Sequence, residues 1–399
     1  MTTVANGTPW LASAEALEQL AGLAQAPLRE GNHVRVLRDG ALAFPAMLAV
    51  IRAARRSVCF ENFIFAEDPT GREFAAALER ARVRGADVRV LYDPLGTLLV
   101  KGGSIARRLK RARITARAFR PLSFTVPWSW PHLRHRDHRK LLIGDDVAAV
   151  VGGMCIADHW SPAERGGSGW RDTSVLVRGP AVADLQLAFE RMWRRARGKV
   201  PESHPTLALP VATLPPRKGD ATVVVVGDRP RTHRVAALYE WLAHHARHSI
   251  EISDAYFVAP PSVFSALLDA CRRGVRVRLL LPGRNNHPAA GAAARRIYGP
   301  LLEAGAEIHE WRGVMLHAKT AVVDGVVSMV GSSNLDPLSL HRNYELNVLI
   351  VDAKVGRAMH ELFESDVAAA SPVSLEEWRR RPLPYRLLES VTTLFAAWL

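Results

Sequence analysis

Two stretches of the sequence, HRKLLIGD and HAKTAVVD, repeat one arrangement of histidine, lysine and aspartate at the same spacing. The matching residues are His138, Lys140 and Asp145 in the first stretch and His317, Lys319 and Asp324 in the second. A pair of imidazoles can transfer a phosphodiester, because one attacks phosphorus while the other protonates the leaving alkoxide. A lysine ammonium beside each imidazole can hold the non-bridging oxygens as their charge increases. These residue types therefore predict phosphodiester transfer.

Metal binding is the main alternative use of clustered histidine and aspartate. Two lysine ammonium groups in the same pocket would repel a cation, so we expect no metal at this site. The transfer chemistry also requires no nucleotide or other cofactor. Lysine is rare in this chain, with seven among 53 lysine and arginine residues, and two of the seven lie in these octapeptides. Lysine at these two positions, in a chain that otherwise uses arginine, favours a functional site that requires a compact ammonium group and not the planar guanidinium of arginine.

The sequence around the two octapeptides is also duplicated. The offset that separates them relates Gly152-Gly153 to Gly331-Ser332 as well. Further upstream, SVCFENFIF from Ser57 resembles SIEISDAYF from Ser249. The chain is therefore expected to contain two copies of one domain.

Each octapeptide has the pattern of a β-strand that enters a tight turn, because aliphatic residues precede GDD or DG. Residues two apart on a strand share a face, so each histidine is expected beside its lysine. Asp145 and Asp324 fall at the turns, where we expect them to fix the strand end more than to touch substrate. Helical patterns at 73–83 and 262–273 are each followed by an apolar strand.

Alternation of helix and strand predicts an α/β protein with two similar sandwich domains in one chain. The expected divisions are an N-terminal extension (1–30), a first domain (31–200), a proline-rich linker (201–220), a second domain (221–370) and a basic, amphipathic C-terminal tail (371–399). Two similar domains usually pack about a pseudo-two-fold axis. Such packing would bring both histidine–lysine pairs into one shared active site.

The duplicated H-x-K-x-x-x-x-D pattern, followed by GG or GS, resembles the phospholipase D superfamily. Within it the chain is most similar to the bacterial cardiolipin synthases, from about residue 31 to residue 370. The stretches WRDTSVLVRGPAV and GSSNLDPLSLHRNYELNVLIVD carry the same resemblance. It implies two phospholipase D-type domains that condense two phosphatidylglycerol molecules, or one with another phospholipid, into cardiolipin through a phosphohistidine.

The resemblance also implies a role for each site residue. His138 and His317 would be the nucleophile and the acid/base pair, with His138 the expected nucleophile. The other implied members are the phosphate-binding Lys140, Lys319 and Asn334, the imidazole-orienting Asp172 and Glu345, and Asp145 and Asp324, which complete the catalytic motif. A carboxylate that accepts one ring N–H fixes the tautomer and leaves the other nitrogen free to react.

Cys155 departs from the family pattern. It occupies the position in the first copy that corresponds to Asn334 in the second. A thiol is a weaker hydrogen-bond donor than an amide. The first half therefore either holds phosphate with fewer contacts or simply buries Cys155 in its core.

The net charge of +14 favours an anionic partner. The resemblance points to an anionic phospholipid, phosphatidylglycerol, and to a membrane surface, with nucleic acid less expected and no protein partner indicated. Transfer to a second phospholipid and hydrolysis by a phospholipase D or a nuclease use the same residues, so the motifs leave both open. A non-catalytic binding protein is a third possibility, although binding alone would not need the histidines.

The sequence shows no cleaved signal peptide and no stretch of about 18 uncharged apolar residues, so we expect a peripheral protein of the cell membrane. Two segments could contact the bilayer. SFTVPWSWP (123–131) carries Phe124, Trp128 and Trp130. Residues 384–399 have an apolar helical face beside a basic cluster. This face fits an interfacial helix or a helix docked on the protein's own core.

Overall fold

The computed structural model describes residues 9–99, 105–121, 135–196 and 214–381. The aromatic segment 123–131, most of the linker and the terminal segment 384–399 lie outside these ranges. Within them, helices and strands alternate along the chain.

The elements divide into two series. Up to residue 196 they are α1 (Ala14–Ala24), β1 (Arg29–Arg38), α2 (Asp39–Ala53), β2 (Ser57–Asn62), α3 (Pro69–Val83), β3 (Asp87–Tyr92), α4 (Pro94–Leu99), α5 (Ile105–Arg111), β4 (Thr115–Ala118), β5 (Leu141–Gly144), β6 (Ala148–Gly152), β7 (Thr173–Arg178) and α6 (Ala181–Arg195). From residue 214 they are β8 (Ala221–Asp228), α7 (Arg234–His245), β9 (Ser249–Asp254), α8 (Pro261–Arg272), β10 (Arg276–Pro282), α9 (Pro288–Arg295), α10 (Tyr298–Glu303), β11 (Glu307–Trp311), β12 (Lys319–Val323), β13 (Val327–Gly331), α11 (Pro337–His341), β14 (Glu345–Val351), α12 (Ala353–Ala368), β15 (Ala370–Pro372) and α13 (Leu375–Arg379).

Capping side chains fix where several helices begin. Asp68 accepts the backbone N–H of Gly71 at 2.8 Å, and Pro69 occupies the first turn of α3. Asp352 accepts the N–H of Val355 at 2.8 Å at the start of α12. These acceptors satisfy backbone donors that have no partner within the helix.

The strands of the two halves follow one topology. The order across the sheet is β1-β7-β6-β5-β2-β3-β4 in the first half and β8-β14-β13-β12-β9-β10-β11 in the second, with β15 added at the edge. In each half the last three strands of this order are parallel to one another. The two halves are therefore similar α/β domains, which confirms the predicted fold class.

Strand β1 connects the two sets of strands. Residues 33–38 pair with β7, whereas Arg29 and Asn32 pair with β8 across an irregularity in register. The result is a single 15-stranded sheet that contains both halves.

Apolar cores lie on both sides of each set of strands. One core joins the first set to α2, α3 and α5, and another joins the second set to α1, α7 and α8. A central core contains the inner faces of both sets together with α6 and α12, including Phe189 and Met359. Strands such as β5, β6, β13 and β14 are buried on both faces, and their sequences are accordingly apolar with little alternation.

The segment before β1 packs against the second half, although the sequence suggested an extension. Leu20 of α1 belongs to the core of the second half, and Trp10 stacks on Trp241 of α7 with ring centroids 5.7 Å apart. The start of the predicted tail is packed too, since the Trp378 ring of α13 lies 4.9 Å from that of Tyr298. Both segments are thus part of the folded body as far as the structure describes them.

Candidate active site

The histidine–lysine pairs are placed by the start of two equivalent strands. Lys319 is the first residue of β12, and Lys140 immediately precedes β5. In each pair the lysine ammonium donates a hydrogen bond to the backbone oxygen of its own histidine. Both lysines are almost fully buried, so each pair forms one compact unit.

Each histidine is hydrogen-bonded to a carboxyl group from the other half of the chain. Nδ1 of His138 lies 3.0 and 3.1 Å from the two side-chain oxygens of Glu345. Nδ1 of His317 lies 2.7 Å from Oδ2 of Asp172. Since His138 and Asp172 come from the first half and the other two from the second, the pairs cross between the halves.

Backbone hydrogen bonds reinforce each crossing. The N–H of His138 donates to the backbone oxygen of Tyr344 at 3.0 Å, and the N–H of Tyr344 donates to the backbone oxygen of Arg136 at 2.9 Å. On the other side, the N–H of His317 donates to the oxygen of Arg171 at 2.7 Å. Short parallel bridges between the halves therefore carry both histidines to one shared site.

Asp172 is fixed by donors other than His317. Nε1–H of Trp160 donates to Oδ2 of Asp172 at 2.8 Å, and the N–H of Thr173 donates to Oδ1 at 2.7 Å. Gly153 leaves the space that this carboxylate needs, because a Cβ at residue 153 would lie 2.3 Å from Oδ1. The carboxylate thus cannot rotate away from His317 without losing these bonds.

Glu345 is held by hydroxyl groups instead. Ser332, which corresponds to Gly153 in the duplicated sequence, donates its hydroxyl to Oε2 of Glu345. The same hydroxyl oxygen accepts the N–H of Leu346 at 2.9 Å. The GG of the first copy therefore leaves space for the Asp172 carboxylate, whereas the GS of the second supplies a hydroxyl that bonds Glu345.

The two carboxyl groups differ in protonation. Burial raises the pKa of Glu345 to about 8, although Lys140 and serine hydroxyls act in the opposite direction. Burial also acts to raise the pKa of Asp172, but His317 and Lys319 outweigh it and the pKa is lowered overall. At neutral pH Asp172 is therefore a carboxylate, while Glu345 retains its proton.

Both imidazoles are neutral at neutral pH. Burial, followed by Lys319, lowers the pKa of His317 to about 3, although Asp172 acts in the opposite direction. Burial and the two lysines hold the pKa of His138 well below its usual value. His317 thus donates Nδ1–H to Asp172 and keeps a lone pair on Nε2. Burial also lowers the pKa of Lys319 to about 8.

Aromatic rings enclose the site unequally. The His317 ring lies 5.2, 5.8 and 6.4 Å from the rings of Trp160, Trp170 and Tyr256. The first histidine faces Phe63 at 5.0 Å. Sequence reasoning missed these residues, although Trp170 stands in the WRD triplet, which was interpreted only for its aspartate.

Asn334 and Cys155 occupy corresponding positions with different surroundings. Nδ2 of Asn334 donates to the hydroxyl of Ser339 at 3.3 Å, and its Oδ1 has no partner among the residues that the structure describes. Cys155 packs in the core of the first half, and burial raises the pKa of its thiol. The first half therefore has a protonated thiol where the second has an amide.

The motif aspartates lie at the far ends of the hairpins. Asp145 accepts three backbone N–H groups of residues 55–57 at 2.7–2.8 Å. Asp324 accepts three from residues 247–249 at 2.8–2.9 Å. Each aspartate lies five residue steps from its lysine along the chain, about 16 Å for an extended strand. The structure thus places Asp145 and Asp324 outside the reacting centre, as anchors between a turn and the neighbouring strand.

We expect Asp145→Ala to destabilise the protein without changing its chemistry. Loss of three backbone contacts should lower the free energy of unfolding by about 1–3 kcal/mol, measured by urea denaturation. Asp145→Asn keeps one carbonyl oxygen and should lose less. Turnover per folded molecule should stay normal, and a stable Asp145→Ala protein without activity would contradict the anchoring role.

Comparison with known proteins agrees with this geometry. A family model described as "Cardiolipin synthase, PLD-like domain" matches residues 241–367. The cardiolipin synthase of Halalkalibacterium halodurans is 30% identical over 94% of this chain and 74% of its own length. Cardiolipin synthase A of Pseudomonas fluorescens is 31% identical over 94% of this chain and 79% of its own. A phosphatidylserine synthase structure from Haemophilus influenzae Rd KW20 shares the fold, with a TM-score of 0.72, 15% identity, and coverage of 96% of this chain and 97% of that one.

The duplicated fold and the paired motifs are those of the phospholipase D superfamily. Within that superfamily, the chain belongs to the cardiolipin synthase family, as the identity along nearly its whole length shows. The resemblance indicated by the two octapeptides is thereby confirmed.

Proposed function

We propose that this protein is a phosphatidyltransferase that forms cardiolipin from two phosphatidylglycerol molecules. The observation that carries the proposal is the pair of imidazoles in one site, each bonded to a carboxyl group of the opposite half and each beside a lysine. Relatives named cardiolipin synthase align along 94% of the chain, which favours transfer over hydrolysis.

The reaction proceeds in two displacements at phosphorus. Nε2 of His138 attacks one phosphatidylglycerol, so that a P–N bond forms, the P–O bond to glycerol breaks, and His317 protonates the departing alkoxide. A hydroxyl of the second phosphatidylglycerol then attacks phosphorus, His317 accepts its proton, and the P–N bond breaks. The products are cardiolipin and glycerol, and Lys140 and Lys319 hold the non-bridging oxygens throughout.

The charges of the site support this division of roles. Protonated Glu345 adds no negative charge beside His138, which favours a neutral nucleophile. The Asp172 carboxylate stabilises the imidazolium form of His317, as an acid/base catalyst requires. Burial is the main cause of the low pKa of His317 and Lys319 the next; a bound phosphodiester offsets the lysine contribution, and together with Asp172 it favours the protonated form of His317.

Product analysis tests the function. Purified protein is incubated with phosphatidylglycerol vesicles, and in parallel with single-stranded DNA, and the products are identified by mass spectrometry. Cardiolipin with free glycerol is the expected result. Phosphatidate alone would assign phospholipase D-type hydrolysis, cleaved DNA would assign a nuclease, and no turnover by folded protein would assign a binding function.

We expect kcat/KM to fall as the pH rises through about 8. Lys319 carries its charge below its pKa of about 8 and loses it above. Glu345 gains a negative charge in the same range, and both changes weaken phosphate binding. Because kcat/KM reports the free enzyme, its pH profile measures this effect. Lys319→Arg keeps the charge, so a fall that remains in that variant belongs to Glu345. A wild-type profile that stays flat to about pH 10 would contradict the assignment.

We further propose peripheral association with an anionic membrane. Among the residues that the structure describes, no helix is long and apolar enough to span a bilayer. Leu98, Val314 and Leu338 are 53%, 62% and 37% exposed. They follow the carboxyl end of β3, precede His317 and follow Asn334, respectively. These exposed apolar side chains lie close along the chain to site residues, which supports direct contact with lipid.

Serine at these three positions should weaken sedimentation with phosphatidylglycerol vesicles by about tenfold or more. Val83 and Val147 provide a matched control, because they are 76% and 48% exposed at the opposite end of the sheet, near Asp145. Serine at both control positions should leave vesicle binding unchanged. Equal losses in the two proteins would show that exposed apolar area, regardless of its place, determines binding.

A further inference from the structure

Asn62 is a buried amide that forms no hydrogen bond with the part of the chain that the structure describes. It is the last residue of β2 and is 2% exposed. Neither Nδ2 nor Oδ1 has a hydrogen-bond partner among the residues that the structure describes. By comparison, buried Asn32 donates from Nδ2 to the oxygen of Arg29 at 2.6 Å and accepts the N–H of Ala181 at 2.9 Å. Asn62 therefore differs from Asn32, whose side chain stabilises the fold through hydrogen bonds to the backbone.

The position of Asn62 is beside Lys140. The antiparallel ladder between β2 and β5 runs up to the residue before Asn62, so that Asn62 and Lys140 are the next opposed residues. In the second half, the corresponding Asp254 is paired with Lys319. Directly opposed residues of an antiparallel pair point to the same face, with Cβ atoms about 5 Å apart. The amide thus belongs to the first half-site.

The neighbouring residue ties this position to the reacting groups. The Phe63 ring lies 5.0 Å from the imidazole of His138 and 5.3 Å from Nζ of Lys140. Burial of an amide without hydrogen bonds costs free energy. An amide kept in this state beside a catalytic lysine is ready to bond a ligand, because Nδ2 can donate to a phosphate oxygen while Oδ1 accepts from a hydroxyl.

The two half-sites distribute their polar groups differently. In the second, Asn334 supplies an amide, while Asp254 is occupied by the N–H groups of Tyr256 at 2.8 Å and Leu335 at 3.0 Å. In the first, position 155 carries a thiol and the residue opposite the lysine is Asn62. The amide of the first half-site therefore lies on β2, whereas the amide of the second follows β13, the counterpart of β6, and β5 separates β6 from β2 in the sheet.

The chain brings these two positions of the first half together. The N–H of Ile156 donates to the oxygen of Ile64 at 3.1 Å, and the N–H of Ala66 donates to the oxygen of Ile156 at 2.9 Å. The segment that follows Asn62 therefore runs alongside the segment that contains Cys155. A donor on β2 can reach the region that an amide at position 155 would serve.

We propose that Asn62 is a substrate-contacting residue that replaces the amide missing at Cys155. Nδ2 donates to a non-bridging phosphate oxygen beside Lys140, and Oδ1 accepts a hydroxyl of the glycerol head group. The inference extends the proposed function, because it names the residue that recognises a phosphoglycerol in the first half-site.

Glycerol phosphate is the probe, since its binding requires no turnover. Asn62→Ala should weaken its affinity, measured by isothermal titration calorimetry, by about 10- to 100-fold, as expected for loss of a hydrogen bond to a charged group. The melting temperature of Asn62→Ala should not fall, because the amide it removes has no partner within the described ranges. Asn32→Ala is the matched control and should lower the melting temperature while leaving affinity unchanged.

A second variant tests the relation to position 155. Cys155→Asn should restore most of the affinity in the Asn62→Ala protein and change little in the wild type. Melting curves establish that each protein is folded, and if Cys155→Asn does not fold, the Asn62→Ala result alone decides. Unchanged affinity in Asn62→Ala would overturn the proposal, as would a lower melting temperature with normal binding.

The outcomes separate this inference from the proposed function. A wild-type protein that forms no cardiolipin, but whose glycerol phosphate affinity depends on Asn62, would refute the function and retain the contact. Normal cardiolipin synthesis by Asn62→Ala, together with wild-type affinity, would retain the function and refute the contact.

Discussion

His138→Ala should yield no covalent phosphatidyl-enzyme, whereas His317→Ala should still accumulate some. Only the nucleophile forms the P–N bond, so its removal eliminates the intermediate and all transfer that depends on it. Removal of the acid/base residue slows glycerol departure, yet leaves the attacking nitrogen in place. Intact-mass spectrometry after rapid quenching of each variant with phosphatidylglycerol measures the adduct.

The carboxyl groups provide the matched controls for this experiment. Asp172→Asn and Glu345→Gln keep the size of the side chains that bond the two histidines, so each perturbs one imidazole without removing it. We expect Asp172→Asn to resemble a weakened His317 variant, with some adduct and slow turnover. An adduct on the His138→Ala protein would reverse the assignment of the two histidines.

Lys140→Arg and Lys319→Arg should each reduce kcat/KM by about two to four orders of magnitude. Both ammonium groups are buried and donate to the backbone oxygen of the adjacent histidine. A guanidinium keeps the charge but is larger, and its planar donors cannot occupy the same position. The charge is then misplaced relative to the phosphate oxygens in the transition state.

Steady-state kinetics with phosphatidylglycerol tests this expectation. Lys354→Arg is a suitable control, since the Lys354 side chain is 83% exposed and pairs only loosely with Asp220 at 3.6 Å. It should retain full activity. Near-normal rates in either of the buried variants would show that positive charge alone is sufficient at that position.

The sequence was informative about the site because the reacting histidine and lysine of each half lie close together along the chain. Histidine and lysine two residues apart, written twice, predicted two equivalent units, and the family resemblance supplied Asp172 and Glu345. It did not predict that each carboxyl group bonds the histidine of the opposite half, because pairing across 145 or 207 residues depends on how the halves pack. The roles of these residues stay predictions until the variants are measured.

Other features lay beyond sequence reasoning for identifiable physical reasons. The family resemblance begins at about residue 31, so residues 1–30 were expected to form an extension, whereas Leu20 of α1 lies in the core of the second half. The protonation of Glu345 follows from burial, which no motif encodes. Asn62 carries no motif either, and its unusual state becomes visible only when its surroundings are known.

Covalent fusion of the two domains has an evolutionary consequence. In a symmetric dimer of single domains, any substitution would change both half-sites together, and the nucleophile and the acid would have to share one sequence. In this chain the corresponding positions differ, with Gly153 against Ser332, Cys155 against Asn334, and Asp172 against Glu345. A fused chain can change one copy without the other, and here the backbones of the two halves follow one topology while the side chains at these positions differ.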